Sequence, residues 1–110
     1  MTARVKSEIA ASALIRRAQV GGAYATVIRR GDNDAGALHV MLRTLDGLAR
    51  LYTPIRNMEG DPAWLVTAPS PEGEIDLRLN KLIDRDPDIW IVEIEDRDAR
   101  HFLTEPVEEG

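Results

Sequence analysis

At 110 residues, with 44% hydrophobic and 30% charged content, the chain has the size and composition of one soluble globular domain. It contains no cysteine, which excludes disulfide bonds, thiolate zinc sites and catalytic thiols. The net charge of −5 argues against a nucleic-acid partner, and no apolar run approaches the roughly 20 residues of a membrane span. Glu8, Arg16 and Arg17 interrupt any apolar signal-peptide core, so the sequence predicts a cytoplasmic protein without a membrane partner.

A helix is the first predicted element, and the Gly21-Gly22 pair marks its end. Ser12 is a candidate N-cap, because its hydroxyl can accept a hydrogen bond from a free backbone N–H group of the first turn. The alternation of apolar and polar residues over 4–10 is typical of a strand, whereas a helix could also begin at Ser7. The sequence leaves both possibilities open for this segment.

Four β-strands are predicted in the next part of the chain, separated by turn-forming residues. A loop rich in Gly and Asp, residues 31–36, joins the first two strands. Asp46-Gly47 closes the following hairpin, because this pair favours the backbone conformations of tight turns. The predicted strands are Tyr24–Arg30, Ala37–Arg43, Ala49–Thr53 and Ala63–Thr67.

An amphipathic helix and a last main strand follow. Apolar residues at helical spacing predict a helix over Glu72–Arg85, and Asp86-Pro87 ends it. The apolar, β-branched run at Ile89–Glu95 predicts the strand. Residues 105–110 are predicted to form a flexible acidic tail.

This order of elements predicts an α+β fold in a single domain over residues 1–104. Consecutive strands joined by short turns favour antiparallel pairing, so we expect a mainly antiparallel sheet of about four to six strands. Two helices on one face of that sheet would complete a two-layer domain.

The alternation of side chains along the strands divides the predicted sheet into two faces. Trp90, Val92 and Ile94 are expected to pack against the helices. The other face is half apolar and half charged, and a helix-free face of this kind is a natural dimer surface. The candidate interaction residues are His39, Met41, Arg43, Arg50, Ile89, Ile91 and Glu93.

Three segments together carry a resemblance to a known family. They are RRGDNDAG at 29–36, the turn and strand from Asp46 to Tyr52, and DPDIWIVEIEDRDARHFL at 86–103. In these segments the chain resembles the bacterial domain-of-unknown-function family 1491, small proteins from alphaproteobacteria, over most of its length. The resemblance implies a compact single-domain cytoplasmic protein. It implies no activity, cofactor or catalytic residue.

The acidic residues at the end of the last strand form a candidate metal site. Carboxylate oxygens and imidazole nitrogens bind divalent ions, and paired carboxylates serve acid–base catalysis. The candidate ligands are Glu93, Glu95, Asp96 and His101, which would suit a metal-dependent hydrolase or nuclease. Acidic runs are more often solvated surface, so this function remains an alternative and we predict no cofactor.

The arginines of the predicted hairpin offer a second alternative, the binding of nucleic acid or a nucleotide. The same side chains can instead form cross-strand pairs, for example Arg43 or Arg50 with Glu93 or Glu95. No serine lies in a motif typical of a catalytic triad. Whether the protein is an enzyme stays open, but the sequence favours a non-enzymatic protein that associates with itself as a homodimer or with another protein.

Overall fold

A computed structural model describes residues 6–110, which contain two helices and seven strands. The helices are α1 (Ser7–Val20) and α2 (Glu72–Arg85), and α2 has the predicted bounds. Within the described residues, no helix is both long enough and apolar enough to cross a membrane. The α+β class is confirmed. The strands are β1 (Tyr24–Arg29), β2 (Leu38–Arg43), β3 (Leu48–Arg56), β4 (Pro62–Val66), β5 (Ser70–Pro71), β6 (Trp90–Glu95) and β7 (Val107–Glu109).

All seven strands belong to one mixed sheet, with the order β1-β6-β2-β3-β4-β7 and with β5 paired to β3. The strand β6 lies between β1 and β2, antiparallel to β1 and parallel to β2. The pairs β2/β3 and β3/β4 are antiparallel as expected, whereas β4 and β7 are parallel. The chain between β2 and β6 contains β3, β4, β5 and α2, and parallel neighbours need a long connection of this kind rather than a tight turn.

The face of the sheet that packs against α1, here called the α1 face, is covered by two segments. Ala11, Leu14 and Ala18 of the helix belong to its core, and Phe102 and Leu103 of the segment 96–106 pack against the same core. The strand residues of this core are Ala25, Leu38, Val40, Leu42, Tyr52, Trp64, Val66, Trp90, Val92 and Ile94. The predicted helix-facing set of β6 is therefore confirmed.

Helix α2 packs on the opposite face, here called the α2 face. Ile75 and Leu79 of the helix form a second core with residues of the sheet. The structure thus corrects the expected arrangement of two helices on one face, because each face carries one helix and the domain has three layers. The reason lies in β2 and β6, whose apolar side chains are buried on both sides of the sheet. The sheet residues of the second core are Met41, Ala49, Leu51, Ile89 and Ile91.

The helix α1 begins at Ser7 and not at Ser12, so residues 7–10 of the ambiguous segment are helical, whereas Lys6 is extended. Residues 1–5 lie outside the described part of the chain. The side chain of the N-cap residue, Lys6, forms no hydrogen bond with the first turn. Instead, Asn33 Oδ1 accepts a hydrogen bond from the Glu8 N–H at 3.0 Å, which satisfies a helix donor from a distant loop.

The structure also corrects the predicted flexible tail at residues 105–110. Val107–Glu109 forms β7 beside β4, and the Gly110 N–H donates to the Val66 carbonyl at 2.8 Å. The Glu109 carboxylate binds Arg50 Nη2 at 2.7 and 2.9 Å. The acidic residues suggested a solvated tail, but one of them has a partner that is 59 positions away in the sequence.

Candidate functional site

Six of the seven residues of the interaction surface predicted from the sequence lie on the α2 face, whereas Arg50 is in register with Leu42 and lies on the α1 face. Met41, Ile89 and Ile91 are each 1% exposed, and His39 on the same face is 5% exposed. Burial lowers the pKa of His39. The expectation that this face is free of helices is corrected, because α2 occupies it and removes these side chains from contact with a partner.

Arg43 on β2 is the centre of an ion cluster between the sheet and the start of α2. It forms an ion pair with Glu93, and its guanidinium nitrogens lie 3.2 Å from Asp76 Oδ1 and 3.3 Å from Glu72 Oε1. Burial acts to lower the pKa of Arg43, but the three carboxylates outweigh burial and the pKa is raised. The predicted cross-strand pair of Arg43 and Glu93 is confirmed, and the cluster joins α2 to the sheet.

The candidate metal ligands occupy separate environments. Glu93 belongs to the ion cluster of Arg43, and Glu95 lies two residues further along β6. The Asp96 carboxylate accepts hydrogen bonds from the backbone N–H and the guanidinium of Arg100 at 2.8 to 2.9 Å. The hydrogen bond from the Arg100 side chain holds the pKa of Asp96 below its usual range.

His101, the fourth candidate ligand, packs against the α1-face core. Its Nδ1 accepts a hydrogen bond from the Leu103 N–H at 2.9 Å, and its ring centroid lies 5.4 Å from that of Tyr52. Burial and, to a smaller extent, the charge of Arg50 lower the pKa of His101. Among residues 6–110, no three His, Asp or Glu side chains converge closely enough to hold a metal ion.

The arginines of the predicted nucleic-acid surface contact other parts of the same molecule. Arg29 Nη2 donates to the Pro87 carbonyl at 2.7 Å. Arg50 binds Glu109, and Arg43 is surrounded by carboxylates. These contacts use the guanidinium groups that a phosphate backbone would need, so the geometry does not favour nucleic-acid binding through this hairpin.

The two edges of the sheet differ in length and charge. The strand β1 pairs with β6 over Tyr24–Val27, after which the register shifts by one residue at Ile28. In the described chain, no strand pairs with the other side of β1. Tyr24 is 59% exposed and Ile28 is 46% exposed. At the opposite edge, β7 has three residues, and two of them are Glu108 and Glu109.

A groove of about 560 Å³ lies between α2 and the strands β3 and β4, and we call it the α2 groove. Leu51 and Leu65 contribute apolar side chains from the strands. Arg78, Lys81 and Arg85 line it from the helix. All three basic residues are exposed, and none forms an ion pair with another residue of the described chain. The helical spacing of these basic residues can be read from the sequence, whereas the apolar residues of β3 and β4 that lie opposite them cannot.

A smaller groove of about 270 Å³ lies on the other side of α2, next to β1. Ile28 and Arg29 line it from the strand, and Leu79 and Ile83 line it from the helix. The Arg29 Nε is buried there without a hydrogen-bond partner in the described chain. Helix α2 therefore leaves a groove on each of its sides.

The chain belongs to the DUF1491 family of proteins of unknown function, whose model matches residues 5–104. It is similar to a crystal structure of a DUF1491 family protein from Caulobacter crescentus CB15, with 46% identity and a TM-score of 0.88 over 96% of this chain and 100% of that one. An NMR structure of a DUF1491 family protein from the same organism has 46% identity and a TM-score of 0.84, covering 97% and 99% of the two chains. A solution structure of a protein from A. tumefaciens has 34% identity and a TM-score of 0.80, covering 94% and 95%. No curated protein matches the chain.

Proposed function

We propose that this DUF1491 protein acts by protein–protein association in the cytoplasm, and that one partner is a second copy of itself. The observation that supports the proposal is the open edge of β1, which exposes Tyr24 and Ile28 beside an unpaired side of the sheet. An outer strand of this kind offers free backbone N–H and C=O groups to a strand from another chain.

The side chains of β1 are complementary to themselves. Antiparallel pairing about a two-fold axis at Thr26 places Tyr24 of one copy opposite Ile28 of the other, and Ala25 opposite Val27. Tyr24 shares the α2 face with Ile28, because Tyr24 is in register with Glu95 and Ile28 lines the smaller groove. Aromatic–β-branched and Thr–Thr pairs each stabilise an antiparallel pair by about 0.2–1 kcal/mol.

The charges along the edge also favour this orientation. One end of β1 carries Arg29 and is followed by Arg30, whereas Tyr24 at the other end lies next to Glu95 of β6. Antiparallel pairing brings the basic end of one copy towards the acidic end of the other. Complementary charges of this kind favour one orientation of a complex over the alternatives.

Light scattering over a range of protein concentrations tests the proposal. The wild-type protein is expected to reach twice the mass of its 12.2 kDa chain, whereas Tyr24→Lys/Ile28→Lys is expected to remain a monomer. The double variant places like charges opposite each other, which destabilises a strand pair. Val20→Lys/Leu77→Lys is the matched control, because it also replaces two exposed apolar side chains with lysine. Val20 on α1 is 82% exposed and Leu77 on α2 is 63% exposed. A wild-type protein that stays monomeric, or an edge variant that dimerises as the control does, would contradict the proposal.

A further inference from the structure

We infer that the α2 groove binds an extended acidic segment of a partner protein, one in which apolar side chains alternate with the acidic ones. The inference goes beyond the association through β1, because the two surfaces share no residue. It rests on the charge of one wall of the groove and on the apolar side chains of the other.

The basic wall selects a negatively charged ligand. On α2, Lys81 follows Arg78 by three positions and Arg85 follows Lys81 by four. The three side chains therefore share one side of the helix over about 10 Å. The whole chain has a net charge of −5, yet these three cations lack an ion-pair partner among the described residues. Acidic groups on a ligand would be complementary to this wall.

The strand side of the groove selects for apolar groups. Leu51 is 3% exposed, and Leu65, at 39%, is accessible to a ligand. Thr53 is in register with Leu65 on the neighbouring strand and also lines the groove. A nucleic-acid backbone has no apolar group to place on Leu65, whereas a peptide side chain can bury its surface there.

An extended peptide matches both sides at once. Its successive side chains point in opposite directions, so acids at alternate positions are about 6.6 Å apart on one side and apolar residues lie on the other. Neighbouring cations on the helix are about 5–6 Å apart at Cβ, which is close to that repeat. The acids can therefore face α2 while the apolar residues contact β3 and β4.

Fluorescence anisotropy with a labelled peptide of about ten residues, in which Glu alternates with Leu, tests the inference directly. We expect saturable binding to the wild-type protein. Peptides with Lys in place of Glu, or Ser in place of Leu, are expected to bind about tenfold more weakly or worse, since each removes one half of the match. Absence of binding by the Glu/Leu peptide, or equal binding by the Ser peptide, would overturn the inference.

Matched variants locate the binding. Arg78→Glu/Lys81→Glu and, separately, Leu65→Ser are expected to weaken binding of the Glu/Leu peptide by about tenfold. Arg16→Glu/Arg97→Glu makes the same charge change at exposed residues outside the groove and is expected to leave binding within about twofold of wild type. Equal weakening by both charge-reversed pairs would overturn the inference. The inference would also be overturned if single-stranded RNA displaced the peptide and if Arg78→Glu/Lys81→Glu weakened RNA binding as much as peptide binding. Light scattering of the groove variants separates this result from the β1 dimer, which they should not change.

Discussion

The two faces of the sheet are built from the same strands but are covered to different extents. On the α1 face, the helix and the segment 96–106 together enclose a core that contains Trp64 and Trp90. On the α2 face, one helix covers a smaller aliphatic core and leaves a groove on each side. Tyr24, Ile28 and the basic wall of the α2 groove all lie on this second side. We therefore expect the α1 face to contribute more to stability, and both of the proposed partner surfaces lie on the α2 side.

The largest expected effect comes from a matched pair of isoleucines on opposite faces of β6. Ile94→Ala should lower the free energy of unfolding by about 4 kcal/mol, because Ile94 is fully buried on the α1 face. Ile91→Ala should lower it by about 2 kcal/mol, because Ile91 also lines the smaller groove, where neighbours and water can fill part of the space. Urea denaturation of both variants measures the difference. An equal or larger loss for Ile91→Ala would contradict the comparison.

The second prediction concerns how much the ion cluster of Arg43 contributes to the packing of α2 on the sheet. Arg43→Met should lower the free energy of unfolding by about 2 kcal/mol, since it leaves the carboxylates of Glu93, Asp76 and Glu72 without their cation. Arg43→Met/Glu93→Leu should recover part of this loss, because the cross-strand charge is then removed as well. Strictly additive losses in denaturant unfolding would show that Arg43 and Glu93 are not coupled.

The smallest effect concerns Asp96, where the chain leaves β6 to cover the α1 face. Arg100 lowers the folded-state pKa of Asp96 from the ordinary value of 3.8, so the ionised carboxylate stabilises the fold at neutral pH. That contribution is fully present above about pH 4 and is lost as the pH falls through the lowered pKa. Asp96→Asn should therefore lower stability by about 1 kcal/mol at pH 7 and have less effect near pH 2. Thermal melts from pH 7 to 2 measure this, with Asp98→Asn as the exposed neighbouring control. A loss that is independent of pH would refute the assignment.

The elements that could be predicted from the sequence are those bounded by local chemistry. Helix α2 begins and ends where expected, because Pro71 and Pro87 flank its amphipathic segment. The division of β6 into two faces was also predictable, because side-chain alternation is intrinsic to a strand. The start of α1 was not predictable, because the donor of its first turn is satisfied by Asn33 on a distant loop.

The candidate site was harder to predict, because it depends on which face each helix covers. The sequence shows that Met41 and Ile91 share a face, but not that α2 packs on it. The basic wall of Arg78 and Lys81 is visible at helical spacing, whereas the contact with Leu65 requires the sheet order. A prediction that assigned each helix to a different face would have found the grooves.

The shortness of β7 has a consequence for the size of any assembly. A sheet that can pair at both edges can add copies without limit and grow into a fibre. Here the second edge, β7, is only three residues long, and a short edge strand limits pairing with another chain. In the proposed dimer, pairing about a two-fold axis at β1 would use the long edge of each copy and leave only the short β7 edges outside. Such a dimer would have closed point-group symmetry, and the shortness of β7 would limit further growth.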